Sequence, residues 1–381
     1  MCRKRHVDRT ELLDLLRQLV SVPSVNPALP GGTGEAELAA QVAEYLQDLK
    51  AEVRVEEVLP GRPNVLAQLG GAGPRLLLSA HLDTVQTTGM VLAPFSGEVK
   101  DGRLYGRGAC DTKASVAAML VALQEAIRAG RLRCQVLFAA LVDEEVGFAG
   151  SRALAALHPQ VDGAVFGEPT DLRVVVAHKG VLRFYVQTTG RAAHSATPEL
   201  GVNAIEGMAR ILPELSTLSP VQPDPLLGGP TVCVTEIQGG VGRNTVPDRC
   251  RVHVDRRLLP EENALTAWAE VRDRVLSSEA ARGFAGSVEF EPPYLMAPGL
   301  RTPEDAWVLR ALEGALRRVV GEAVRVGAPY ATDAGHVARI GVPCVVFGPG
   351  SSSEAHTVAE SVALDQVELA AQVLYEMVTS G

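Results

Sequence analysis

No stretch of eighteen apolar residues occurs in this chain, which excludes a membrane-spanning helix of ordinary length. The N-terminal segment lacks the apolar core of a secretory signal. Its basic start, Arg3-Lys4-Arg5-His6, runs straight into Asp8, Glu11 and Asp14. None of the six cysteines (Cys2, Cys110, Cys134, Cys233, Cys250 and Cys344) belongs to a CxxC pair, and most sit inside apolar runs. That usage reads as buried, reduced thiols of a cytoplasmic protein, with Cys110 set apart by its neighbour Asp111. There is no internal repeat and no low-complexity tract. An excess of positive charge is missing too. The net charge of −9 argues against a phosphate backbone as partner, so neither nucleic acid nor membrane is expected.

What is present is enough apolar material, 46% of 381 residues, for two domains or for one large domain with an insertion. Helical spacing predicts helices over about Thr10–Leu19, Gly34–Leu49 and Lys113–Ala129, the last with Val116, Met119, Leu120, Leu123 and Ile127 on one stripe and Gly130 as its stop. Strand signals fall at Glu52–Val58, Asn64–Leu69, Arg75–Ala80, 135–142 and 163–166, which argues an α/β layered domain. From Gly180 to Pro292 the order changes to strand (Leu182–Thr188), helix (Asn203–Leu212), two strands (Thr231–Ile237 and Arg249–Leu258), helix (Glu262–Ser277) and strand (Ser287–Glu291). This βαββαβ order is that of a ferredoxin-like module. A helix at Pro303–Val319 and a strand at Pro343–Phe347 resume the layered pattern. The expected organisation is a discontinuous catalytic domain, 1–179 plus 293–381, with an inserted domain at 180–292.

Histidine and acidic residues follow four of the apolar runs. Leu76-Leu77-Leu78 leads to His81 and Asp83, Val136–Val142 to Asp143-Glu144-Glu145, Ala164-Val165-Phe166 to Glu168, and Cys344–Phe347 to His356. In open α/β sheets functional groups gather beyond the carboxyl ends of the strands, and histidine with carboxylate is a ligand set for zinc and related ions. Each piece alone has a plainer explanation. His81 and Asp83 could be an ordinary polar strand end, although a carboxylate on the second nitrogen of a ligand imidazole would fix its orientation. Asp111, in the glycine-rich turn Tyr105–Lys113, could cap the next helix or bridge two cations. Asp143-Glu144-Glu145 could be a solvated loop, or Glu144 and Glu145 could divide metal binding from proton transfer. Coincidence of all of them at one sheet edge is what favours a metal site.

The residues that carry a family resemblance span most of the chain. They are Ser79–Val85, Gly106–Lys113, Asp143-Glu144-Glu145, Gly167–Thr170, Ala177–Gly180, His194–Ile205, Gly240–Asp248, Thr332–Gly335 and Phe347–Gly350 with Ala355-His356-Thr357. In this combination the chain resembles the M20 metallopeptidases, a group that includes acetylornithine deacetylase, succinyl-diaminopimelate desuccinylase and glutamate carboxypeptidase. The resemblance implies two divalent metal ions, usually zinc with cobalt or manganese as alternatives. His81 and Glu168 would hold one, Glu145 and His356 the other, with Asp111 bridging and the peptide bond after it cis. It further implies Asp83 as the residue that orients His81, Glu144 as general base, and His194 as an oxyanion donor reaching a partner subunit's site. Asn244 and Arg257 match substrate-gripping positions, with Arg243 and Arg256 as one-residue alternatives. The implied protein is a homodimer, paired through the inserted domain, that hydrolyses the amide bond of a small N-acyl amino acid or a dipeptide. Local phrases such as Glu168-Pro169-Thr170 lie nearest acetylornithine deacetylase. An intact Glu144 argues against a non-catalytic metal-binding relative.

Overall fold

The computed structural model describes residues 6–218 and 222–380. Its chain divides into two compact units. One comprises Met1–Val176, Arg301–Gly327 and Thr332–Gly381; the other comprises Ala177–Leu300 with the short return Ala328–Ala331.

The first unit is built on a nine-stranded mixed sheet. Its first seven strands lie in the order Glu52–Leu59, Arg62–Leu69, Gln135–Leu141, Arg75–His81, Gly163–Phe166, Cys344–Val346, Val174–His178. The four middle strands run parallel, with His81 opposite Leu141, and Phe166 opposite both Ser79 and Val346. Parallel neighbours end on the same edge, so the residues after Leu141, His81, Phe166 and Val346 emerge together. These strands carry almost no polar residue because both sheet faces are covered.

Helix Ala114–Arg128 packs against this sheet with twelve of its fifteen residues buried. Helix Leu364–Ser380 lies against it, so it has no wet face to show. Phe138 and Phe347 are among the largest side chains sealed in this core. A separate three-stranded sheet, Ser361–Ala363 with Arg103–Tyr105 with Glu98–Lys100, ties the chain near residue 360 to the glycine-rich turn before Asp111.

The second unit has the strand–helix order expected of residues 180–292. Strands Gly180–Thr189, Thr231–Gly239, Arg249–Leu258 and Ser287–Phe290 pair antiparallel. In space the fourth lies beside the first, then come the third and the second, which is the ferredoxin-like arrangement. Asn203 and Asn263 cap helices Ala204–Leu215 and Ala264–Ser277 by accepting from the first-turn N–H groups. Their apolar faces meet Leu182, Phe184, Val186, Val252 and Val254. The strand Thr231–Gly239 forms one edge of this sheet and is largely exposed, Ile237 at 56%.

Candidate active site

His81 is the last residue of its strand and is almost fully buried. Its Nδ1 lies 2.9 Å from the carbonyl oxygen of Asp83 and its Nε2 lies 3.1 Å from Asp111 Oδ1. An Nδ1–H donating to that carbonyl leaves the Nε2 lone pair for the site. The Asp83 carboxylate is not the closer partner of the ring, at 3.6 Å. It accepts instead from the backbone N–H of Glu144 at 3.0 Å and of Glu145 at 3.1 Å, and from Asn26 Nδ2 at 2.7 Å. Asp83 thus holds the acidic turn as well as the histidine strand.

Asp111 sits in the tight turn Ala109–Lys113, and its peptide bond to Thr112 is cis. No side chain caps the helix that follows. The two Asp111 oxygens face two histidines, Oδ1 toward His81 and Oδ2 toward His356 Nε2 at 3.2 Å. His356 Nε2 also lies 3.1 Å from Glu145, and Glu168 Oε1 lies 4.0 Å from His81 Nε2. Glu168 leaves its strand through Gly167, and its carbonyl oxygen would meet a Cβ at Gly348 only 2.5 Å away, so a side chain at 348 would force the two loops apart.

The electrostatics of the cluster are those of too many acids in one place. Burial, then the charge of Glu168, pushes Glu144 well above the usual carboxylate range. Burial likewise raises Glu168 and lifts Glu145 to about 6 and Asp333 to about 7. Asp333, a neighbouring charge to Glu144 and Glu168, leaves Oδ1 buried with no hydrogen bond. The histidines are drawn the other way. Hydrogen bonds to Asp111 and Glu145 lift His356 to about 10; at His81 burial opposes protonation, but the hydrogen bond to Asp111 and the charges of Glu168 and Glu144 prevail. Among the described residues, the positive charge set against Asp111, Glu145 and Glu168 comes from the imidazoles of His81 and His356. One ligand atom each from His81, Asp111 and Glu145 lie within 4.8 Å of one another. A divalent cation fits that donor set and relieves the same repulsion.

Two further acids hold this geometry: Glu360, which no sequence signal singled out, and Asp143, which the sequence marked only as part of the acidic run. Glu360, 1% exposed, accepts through Oε1 from the backbone N–H groups of Cys110 and Asp111, both at 3.0 Å. Its Oε2 pairs with Arg107 at 2.5 Å, and Arg107 donates on to Gln86 O and Thr357 O. Asp143, the first residue of the acidic run, turns away from the cluster into a buried pair with Arg62. Cys110 is sealed; burial, with Asp111 and Glu360 close by, pushes its thiol up and makes it a poor nucleophile.

The remaining named residues lie in the second unit. His194 is exposed, and its Nδ1 accepts from Ala196 N–H at 3.0 Å, which leaves Nε2–H outward as a donor. It pairs with Thr245, and Ser195 N–H donates to Asn244 O at 2.9 Å, so the His194 and Asn244 loops are one structure. Arg256 is buried against Ala267 O and Glu262, whereas Arg257 points to the opposite sheet face, where Asp255 holds it at 2.8 Å. Of these two arginines only Arg257 is available to a ligand.

The model of peptidase family M20/M25/M40 matches residues 77–380. The chain is 32% identical to the acetylornithine deacetylase of Proteus mirabilis (strain HI4320) over 381 residues, with 96% of this chain and 95% of that protein covered. It is also 32% identical to the acetylornithine deacetylase of Edwardsiella ictaluri (strain 93-146), with 92% of each covered. Among solved structures, a tripeptidase from Staphylococcus aureus subsp. aureus mu50 superposes with a TM-score of 0.84 at 23% identity over 98% of each chain. A dinuclear metal-binding M20 peptidase from Bacillus subtilis does so at 0.73 and 20% over 97% of each. Fold and sequence together define a hydrolase of amide bonds. The chain belongs to peptidase family M20/M25/M40.

Proposed function

We propose that this protein removes the acyl group from a small N-acyl amino acid, in the manner of an acetylornithine deacetylase. Two divalent ions would be held by His81 and Glu168 on one side and Glu145 and His356 on the other, with Asp111 between them. The observation that carries the reading is the pair of Nε2 atoms facing opposite oxygens of the Asp111 carboxylate. Zinc suits two imidazoles with carboxylates, whereas calcium prefers all-oxygen ligands; cobalt and manganese share that preference closely enough to be tested beside it. Bound there, the ions would polarise the amide carbonyl and lower the pKa of the attacking water.

The residues of the chain do the rest. Glu144 sits in the acid cluster with its pKa raised, suited to take the proton from water and deliver it to the leaving nitrogen. Asp83 fixes where Glu144 stands through the backbone N–H. His194 offers an Nε2–H to the developing oxyanion. Arg257 on strand Arg249–Leu258, and Asn244 on a loop, grip the carboxylate side of the substrate.

His194 and Arg257 lie toward opposite ends of one sheet. The paired positions Thr189 with Arg249 and Val181 with Arg257 are eight residues apart, roughly 26 Å at strand spacing. One inserted unit cannot bring both to one small substrate, which supports a homodimer in which His194 and Asn244 serve the partner's site. The exposed edge strand Thr231–Gly239 is the surface we assign to pairing. The five described cysteines are free, in keeping with a cytoplasmic protein.

A hydrolysis panel on zinc- and cobalt-loaded protein tests the reading, with N-acetyl, N-succinyl and N-formyl amino acids beside dipeptides and tripeptides. Preference for an N-acyl amino acid is expected. A preference for peptides would move the protein to the dipeptidase side of the family, and no turnover by the metal-loaded protein on any of them would overturn the proposal.

A further inference from the structure

Behind the acid cluster, within the first unit, lies a second polar assembly that reaches Glu144 and Glu145 through their backbone N–H groups and stands 3.6 Å from the His81 ring at Asp83. Asn26 is fully buried in the loop after the first helix. Its Nδ2 donates to Asp83 Oδ2 at 2.7 Å and to Asp143 Oδ1 at 3.0 Å, and its Oδ1 accepts from Ala28 N–H. Arg62 grips Glu35 with two hydrogen bonds, 2.8 and 2.6 Å, and reaches Asp143 Oδ1 at 3.0 Å. Glu35 is wholly buried and accepts in turn from the backbone N–H of Asp143.

Asp143 itself stands at φ +70°, a left-handed conformation that Asp tolerates better than most residues. Its carbonyl accepts from Gly147 and Phe148, and its carboxylate accepts from Ala149 N–H. A Cβ at Gly147 would stand 2.4 Å from that carboxylate, so the turn closes only over glycine. The next two residues are Glu144 and Glu145, whose N–H groups end on Asp83.

We infer that the buried chain Glu35–Arg62–Asp143–Asn26–Asp83 is a positioning device for Glu144 and Glu145, with Asn26 and Arg62 as its positioning residues. The turn is held from two sides, by Asp143 from below and by Asp83 from the front. Asn26 joins the two holds, because its amide hydrogens set the spacing between their carboxylates. Arg62 offsets part of the charge of three buried acids. Loss of Asn26 would therefore let the turn drift against the histidines, and catalytic geometry is sensitive to small displacements. The inference rests on the proposal that Glu144 is the base and Glu145 a metal ligand.

The test compares Asn26→Ala, Asn26→Ser and the wild type, with Val42→Ala, a buried helix residue outside the site, as a control for stability alone. Zinc affinity is measured by competition with a chelator, turnover at saturating zinc on the best substrate of the panel, and thermal midpoint for all four proteins. Asn26→Ala should lose about 10–100-fold in both kcat and zinc affinity. Its KM should stay within about threefold, since the substrate's own contacts are intact. Asn26→Ser retains a donor and should fall between; it carries the test if the alanine variant does not fold. Wild-type kcat and zinc affinity in both variants would overturn the inference, as would losses that Val42→Ala reproduces at the same thermal midpoint. If the wild-type protein binds zinc but cleaves no substrate, the proposed function fails while the zinc comparison still decides the positioning role.

Discussion

Glu144 and Glu145 are adjacent acids with different surroundings, and substitution should separate them. Glu145 meets His356 at 3.1 Å, whereas Glu144, near the charges of Glu168 and His81, has its pKa raised well above the usual carboxylate range by burial. Glu144→Gln should keep its metal and lose about 10²–10⁴-fold in turnover, the usual contribution of a general base. Glu145→Gln should lose metal first. Metal analysis alongside turnover decides it, and the reversed pattern would show that the two roles are exchanged. The arginine pair separates in the same way. Arg257→Ala should raise KM with the fold intact; Arg256→Ala should cost about 2 kcal/mol in a denaturant melt through its lost buried contacts.

What was legible at this scale is uneven for a physical reason. His81 and Glu168 stand out because a histidine or an acid at the end of an apolar strand is out of place unless something uses it; His356, beyond a glycine- and serine-rich loop, stands out only in combination with them. Asn26, Arg62 and Glu360 act through other residues and have no local pattern; only the fold shows that Glu360 accepts from the backbone of Asp111. The choice between Arg256 and Arg257 needed the strand's facing, which puts the first under a helix and the second on the opposite side.

At the scale of elements, periodicity found most helices and strands to within a few residues, and its misses have causes. Helix Ala114–Arg128 shows an apolar stripe in sequence, yet it is buried nearly all round, because helix Leu364–Ser380 covers it. That last helix follows strand Ser361–Ala363 directly, with no intervening loop to announce its start. The short strands Arg103–Tyr105 and Ser361–Ala363 escape detection because three residues carry no period. Yet they are what carries the His356 segment to the Asp111 turn.

Strand Val174–His178 supplies a pH test. His178 is fully buried; burial disfavours its charged form and pulls its pKa down to about 4, against a usual value near 6.5. Between those two values the unfolded chain binds a proton that the folded chain refuses. Stability is therefore complete above pH 6.5 and falls as pH drops toward 4, by up to about 1.4 kcal/mol per pH unit. His178→Gln should flatten that limb in urea melts at pH 7.5, 6 and 5. An unchanged slope would mean that other groups govern acid unfolding.

At the scale of the whole molecule the decisive fact is that one ferredoxin-like sheet carries His194 toward one end and Arg257 toward the other. Its edge strand Thr231–Gly239, with Ile237 exposed, is open to a second chain. If dimerisation brings each His194 to the partner's acid cluster, single defects can complement one another. His194→Ala should reduce turnover by about 10²–10³-fold, the contribution of one oxyanion donor, and leave metal content unchanged. Glu144→Gln is disabled at the base. In a heterodimer of the two, one site receives an intact Glu144 from the first chain and an intact His194 from the second, and the other site receives neither. Co-refolding equal amounts, with differently tagged chains to isolate the mixed species, should therefore restore close to half of the wild-type turnover per dimer. Light scattering must show a dimer at micromolar concentration for the experiment to count. Purified heterodimers without recovered activity would place His194 in the service of its own chain, or outside the reaction, and the roughly 26 Å between the two ends of the sheet would then need a large rearrangement to be spanned.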